Sequence, residues 1–352
     1  MQFTTRSSAR PQPIAPKMSN PSQQKYIAFY DTYPTVETAE TENLKRFEIA
    51  CKKLNVGFLL INNGGYVIKH PTLNGTDIRT MDSTQIICII SLHFYSLKNT
   101  QHYTMLALWN PIKYHNDEIM EHMPDIDGFL SAHSNAIDKH ITDKVDKPIV
   151  GFLNTTVSDP ILEFTFGEYK CFYCGINWYA LPNADVKRIN ILDAVKEIDD
   201  LDMVSIYGPE RIYGVRVWDG FKNYKYKIPF DGVSVIYEIH KCGICLALSS
   251  DEHVESEIAS NRFFEGLAAG VPIIANPNPF IVEWFGDNVF YVDLTKPGSI
   301  AGQISEHIKY FKENPENTLK RMQNCRNIFL RNFTLDGQLQ LIINSIPNSA
   351  KK

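Results

Sequence analysis

Residues 244–275 fix the kind of fold this chain can adopt. Ile244–Leu248 is a short apolar run, of the length and character of a buried strand. Ser249–Ser260 follows as a polar, acidic loop. Asn261–Ala269 has helical spacing and closes on Gly270, a residue suited to the left-handed position after a helix. Val271-Pro272 then leads into a second apolar run, Ile273–Ala275. Strand, loop, helix, strand is a βαβ unit. Ligands of such units sit on the loops at the carboxyl ends of the strands.

The same alternation runs through the rest of the chain. Lys25–Tyr33 reads as a strand, Glu37–Leu54 as a helix with an acidic first turn and a basic last turn, and Val56–Ile61 as a second strand. Gln85–Ser91, Thr104–Trp109, Gly128–Ala132 and Ile149–Leu153 are further short strands, with little pattern over 66–82. A second series starts at Tyr169–Cys174. It continues with a helix over Val186–Ile198, strands over Met203–Tyr207 and Tyr224–Ile228, and a helix over Val233–His240. Asn314–Phe329 and Leu335–Ile346 read as terminal helices. The expected organisation is a polar disordered tail over 1–24, a Rossmann-like α/β domain over 25–160, a second over 161–330, and a closing helical segment over 331–352.

Composition narrows the function. A chain of 352 residues with 44% hydrophobic content holds two ordinary domains. A net charge of −5 argues against a general nucleic-acid surface. No apolar run approaches the ~18 residues a membrane span needs, and the first residues are not a signal peptide. Seven cysteines scattered through apolar segments point to a reducing compartment, hence the cytoplasm. Cys171/Cys174 and Cys242/Cys245 have zinc-like spacing. Within strands, however, residues three apart face opposite ways, so buried thiols are the expected reading and no metal site is assigned.

Arg262 and Glu265 share one face at the start of the 261–269 helix. An arginine there opposes the helix dipole, which makes sense if an anion lies between it and the first backbone amides. The plainer reading is a surface ion pair. With its flanks, SNRFFEGLAAGVPII, the motif resembles the nucleotide-sugar motif of GT-B glycosyltransferases. It is similar in particular to spore-maturation-type enzymes and phage DNA β-glucosyltransferases. The resemblance covers roughly Tyr169–Asp293. It implies an α/β fold of two doubly wound Rossmann-like domains facing across a cleft, with the last helix crossing back to the first domain. It also implies a nucleotide-diphosphate sugar donor, with Glu265 holding the ribose hydroxyls and Arg262 the diphosphate. Glu257 with Glu265 fits the family's looser E-x7-E pattern, and Asn261 opens the helix.

Gly175 and Gly208 follow predicted strands, where a glycine lets backbone amides approach a phosphate. The family often carries a basic residue after the first of these strands; here Asn177 stands in the loop, with Lys187 further on. Phe230-Asp231-Gly232-Val233-Ser234 precedes a helix and corresponds to a loop bordering the nucleotide, or is a plain helix cap. Phage relatives carry a basic aspartate near the position of Asn110, which cannot take a proton. The candidate bases are therefore His93, His133 and Asp31, with His115 behind them.

The expected activity is transfer of a sugar to a hydroxyl of a glycan, lipid-linked or other acceptor, with possible peripheral membrane contact. No cofactor is expected, and no bound metal, because helix N-termini and basic side chains neutralise the leaving diphosphate. The alternatives are a sugar-nucleotide epimerase and a non-catalytic nucleotide-sugar-binding protein.

Overall fold

The computed structural model describes residues 24–31, 39–92, 95–115, 120, 123–181, 189–296 and 300–347. Most of the expected 1–24 tail lies outside them. The first half is built on a seven-stranded sheet: β1 (Tyr26–Tyr30), β2 (Gly57–Ile61), β3 (Val67–Ile68), β4 (Ile86–Ser91), β5 (Thr104–Leu108), β6 (Gly128–Ser131) and β7 (Ile149–Phe152). Their order is β3-β2-β1-β4-β5-β6-β7. All neighbours pair in parallel except β3, which runs antiparallel to β2 and supplies the pairing in the weakly patterned 66–82 stretch. Alternate strand residues enter opposite faces. Ile27 and Phe29 pack into one cluster with Phe47 of helix α1 (Ala39–Lys53), while Ala28 and Tyr30 pack into the other. Helix α2 (Asn135–Thr142) starts at Ser134, whose hydroxyl accepts from the Ile137 N–H at 2.9 Å.

The second half repeats the plan with five strands. These are β8 (Lys170–Cys174), β9 (Val204–Tyr207), β12 (Gly243–Ala247), β13 (Ile273–Ala275) and β14 (Phe290–Tyr291), in the order β14-β13-β12-β8-β9. A small ribbon, β10 (Arg211–Ile212) and β11 (Val215–Arg216), stands apart from the sheet. The helices are α3 (Ile189–Asp200), α4 (Ser234–Cys242), α5 (Asp251–Glu255), α6 (Asn261–Ala269), α7 (Pro279–Phe285), α8 (Ile300–Glu313), α9 (Pro315–Asn332) and α10 (Leu335–Ser345). The predicted βαβ unit is present: β12 and β13 pair in parallel with Leu246 opposite Ile274, and α6 crosses between them. Gly270 ends α6 at φ 70°, and a Cβ there would lie 2.6 Å from the Glu163 carbonyl oxygen.

Three expectations change. The acidic 249–260 stretch is not all loop. It contains α5, whose first turn carries Asp251 and Glu252, where carboxylates favour a helix. Residues 223–226 run along β9 through backbone bonds such as Lys225 N to Ile206 O at 2.8 Å, but form a single bridge rather than a strand. Helices α7 and α8 were not read from the sequence. Helix α7 carries the signal for its start, Asn278 capping the Phe280 N–H ahead of Pro279. The four spaced cysteines divide between cores, Cys171 in one cluster and Cys174, Cys242 and Cys245 at the other.

The first half is completed by the end of the chain. Leu335, Leu339, Ile342 and Ile346, on or just past α10, belong to the core of the seven-stranded sheet. The Asn154 N–H donates to Gln338 Oε1 at 2.7 Å. Leu339 is fully buried there. Leu339→Ala is therefore expected to lower stability by about 2–5 kcal/mol in urea unfolding. A loss within the ~0.5 kcal/mol of an ordinary surface substitution would show that α10 does not fill this core.

Candidate active site in the interdomain cleft

Both sheets have a switch point, between β1 and β4 and between β8 and β12, where successive connections leave in opposite directions. The loops at the second switch point open into a cleft of about 1030 Å³ between the halves. Gly175, Gly208 and Ser250 line it from the second half, and Asn43, Asn110 and Tyr114 from the first.

Helix α6 brings its first turn to this cleft. Ser260, Asn261 and Arg262 line it, and the Ser260 side chain does not cap the helix. Glu265, one turn on, is 2% exposed at the cleft floor. One of its oxygens pairs with Arg262 Nη1, the other with Nη2 of Arg46 from α1. Arg46 Nη2 also donates to Glu42 Oε1 at 2.9 Å, and Glu42 Oε2 accepts from the Gly232 N–H at 3.0 Å. Four alternating charges from both halves thus form one row, buried except at Arg262, whose side chain is 21% exposed to the cleft. Burial would raise the pKa of Glu265, but Arg262 and Arg46 outweigh it and hold the carboxyl below its usual range. Burial pushes Glu42 up, only partly offset by Arg46 and the Gly232 amide. The Arg262 guanidinium lies over the Phe172 ring, 5.1 Å from its centroid. The i,i+3 pair of the plainer reading is therefore made, but at the cleft rather than on the outer surface.

The other expected donor residues separate. Gly175 and Gly208 line the cleft, yet their amides are already used: Gly175 N–H donates to Tyr207 O at 3.1 Å and Gly208 N–H to Tyr226 O at 3.2 Å. They give room rather than phosphate donors. Asn177 is buried beside the cleft, with Oδ1 unpartnered among the described residues. Gly232 does not line the cleft; its amide and carbonyl are turned to Glu42 and Arg46. Glu257 turns away as well. At φ 53° after α5, it accepts the Ala136 N–H at 3.1 Å and so caps α2 of the other half, where a carboxylate complements the helix dipole. Lys187 and His93 lie outside the described residues.

Among the described residues, the expected bases do not line the cleft. Asp31 is buried at the end of β1. His133 stacks on Phe152 at 4.2 Å, meets Trp284 and Phe333 edge-on, and has Nδ1 2.8 Å from Asn154 Oδ1. Burial lowers its pKa, with the Asn154 bond opposing; it is a packing residue. Burial likewise pushes His115 down to about 4. Asn110 does line the cleft. The sequence reading missed His253, which lines the cleft with Nδ1 2.9 Å from Ser250 Oγ, and Lys113, which spans the halves to Glu252 at 2.9 Å. It also missed Glu42 and Arg46. Their signal was present: 42, 46 and 50 form one helical row that ends in the buried Ala50.

Residues 188–344 match a family model described as glycosyl transferase-like. No curated protein matches the chain. Among solved structures, an α-glucosyltransferase in complex with UDP and a 13-mer DNA containing an HMU base superposes with a TM-score of 0.59. The identity is 9%, over 91% of this chain and 100% of that one. TarM superposes with a TM-score of 0.50 at 14% identity, over 81% of this chain and 62% of its own. Two doubly wound sheets facing across a cleft define the class of fold, GT-B, and the second of them lies within the segment that matches the glycosyl transferase-like model. Among the described residues no helix is long and apolar enough to cross a membrane.

Gly208 tests the cleft geometry. Its φ is +144°, and a Cβ would lie 2.1 Å from the Gly175 carbonyl oxygen. Gly208→Ala must push the β8 and β9 loops apart, at a cost of about 1–3 kcal/mol. A lowered melting temperature is expected; an unchanged one would show that the two loops are not in contact.

Proposed function

We propose that the protein moves a sugar from a nucleotide-diphosphate sugar to an acceptor hydroxyl. The observation that carries this reading is the buried Glu265 carboxylate, held at the cleft floor beside the open N-terminus of α6. Glu265 receives the ribose hydroxyls. Arg262 and the first amides of α6 hold the diphosphate and stabilise it as it leaves, with no resident metal needed. A uridine nucleotide is the first donor to try, since the DNA-bound structural neighbour holds UDP.

The acceptor enters from the first half. That wall offers Glu40 and Glu42, and Glu252 meets the charge of Lys113. It suits a neutral hydroxyl compound such as a glycan better than a polyanion. With Asp31 and His133 packed elsewhere, His253 takes over as the candidate for proton transfer. The cytoplasm is the assigned compartment, resting on seven unpaired cysteines.

Thermal shift with UDP, GDP, CMP and their sugars, on native protein and Glu265→Ala, tests the donor site. A nucleotide at a hundredfold excess over Kd stabilises by about 2.7 kcal/mol. A selective shift lost in the variant is expected; a shift kept in full by Glu265→Ala sinks the assignment. Asn110, cleft-lining and unable to accept a proton, favours one second reading, a nucleotide-sugar binder without catalysis. Donor binding with neither transfer nor hydrolysis would decide for it.

A further inference from the structure

We propose that Arg46 is a positioning residue of the donor site supplied by the opposite half of the molecule: it fixes the Glu265 carboxylate to receive two ribose hydroxyls, so the nucleoside site is complete only while the halves are closed. The inference rests on the donor site assigned above.

Arg46 belongs to α1, on the far side of the cleft from α6 in the chain, yet its side chain is fully buried against the second half. Its Nε faces the Gly232 carbonyl at 3.4 Å, and its Nη2 bridges Glu42 and Glu265. Gly232 has φ +87°, and a Cβ there would lie 3.1 Å from Lys45 Cβ, so the 230–233 loop rests directly on α1. Glu42 and Asn43, from the same turn of α1, line the cleft, and Asn261 Nδ2 reaches Asn43 Oδ1 at 3.3 Å.

A carboxylate oxygen has two lone pairs. Each oxygen of Glu265 gives one to a guanidinium, Arg46 on one side and Arg262 on the other. One acceptor position per oxygen remains, which suits two neighbouring hydroxyls. Without Arg46, Glu265 is free to turn both oxygens onto Arg262, the fork such a pair prefers, and the ribose positions close. Closure of the halves and nucleoside binding then favour each other reciprocally. An ion pair that served stability alone would leave ribose selectivity untouched.

The test is calorimetric binding of UDP, GDP and ADP, each beside its 2′-deoxy counterpart. It compares native protein, Arg46→Met, Arg46→Lys and Glu265→Ala, with folding checked by circular dichroism. Native protein is expected to prefer a ribonucleotide over its deoxy form by about tenfold or more, as a site built to bond a hydroxyl does. Arg46→Met should bring that ratio close to one. Arg46→Lys keeps the charge without the fork and should fall between; if the Met variant does not fold, the Lys variant decides. Arg46 variants that keep the native ratio while Glu265→Ala loses it overturn the role of Arg46. Glu265→Ala keeping the ratio, or no diphosphate binding native protein, overturns the donor site itself.

Discussion

A carboxylate buried at an interface needs cations, and the structure meets that need from two directions. Glu265 lies between Arg262 of its own helix and Arg46 of the opposite half. Removing one partner from a buried pair costs about 3–5 kcal/mol, because the remaining charge is left uncompensated. Replacing the whole set with apolar residues is often neutral, so such a row is a poor device for stability. Its value here is geometric. It fixes where α1 sits against the loop at Gly232 and therefore how wide the cleft is.

The rest of the interface follows from that alignment. Lys113 reaches Glu252, the Ile112 N–H donates to Ser256 Oγ at 2.9 Å, and Glu257 caps α2. The short helix α5 and the turn after it thus carry contacts to the first half on one side and His253 into the cleft on the other. Behind them His133, Phe152, Trp284 and Phe333 make an aromatic junction between the halves. An element that binds both halves and lines the site transmits any change in their separation to the site.

The parts that periodicity governs were legible in the sequence. Runs such as Ile86–Ser91 and Ile273–Ala275 could only be buried strands, and Gly270 marked the end of α6. Arg262 and Glu265 were legible because an arginine in a first helical turn is an odd choice for stability. What was not legible depends on the second half of a contact. Nothing in the sequence near Glu257 says that it turns to cap a helix at a residue 121 positions earlier. The glycines at 175 and 208 have the right location for phosphate donors, but the Tyr207 and Tyr226 carbonyls take their amides. Arg46 shares a helical row with the buried Ala50, but its partner Glu265 lies 219 residues on and no local pattern points to it. Asp31 and His133 stand on the first sheet's carboxyl edge, where a base is expected, but Asp31 is buried and His133 is packed among aromatic rings rather than open to the cleft.

Helix α10 closes the first core with residues made after both sheets. During synthesis the seven-stranded half leaves the ribosome with its strands in order but one wall missing, and that wall arrives only after α9 has emerged. The second half has no such debt, since its clusters draw on residues 157–333. The later-made half can therefore mature before the earlier one, the reverse of the usual N-terminal-first order. A cleft that needs both halves forms last, when the final helix docks.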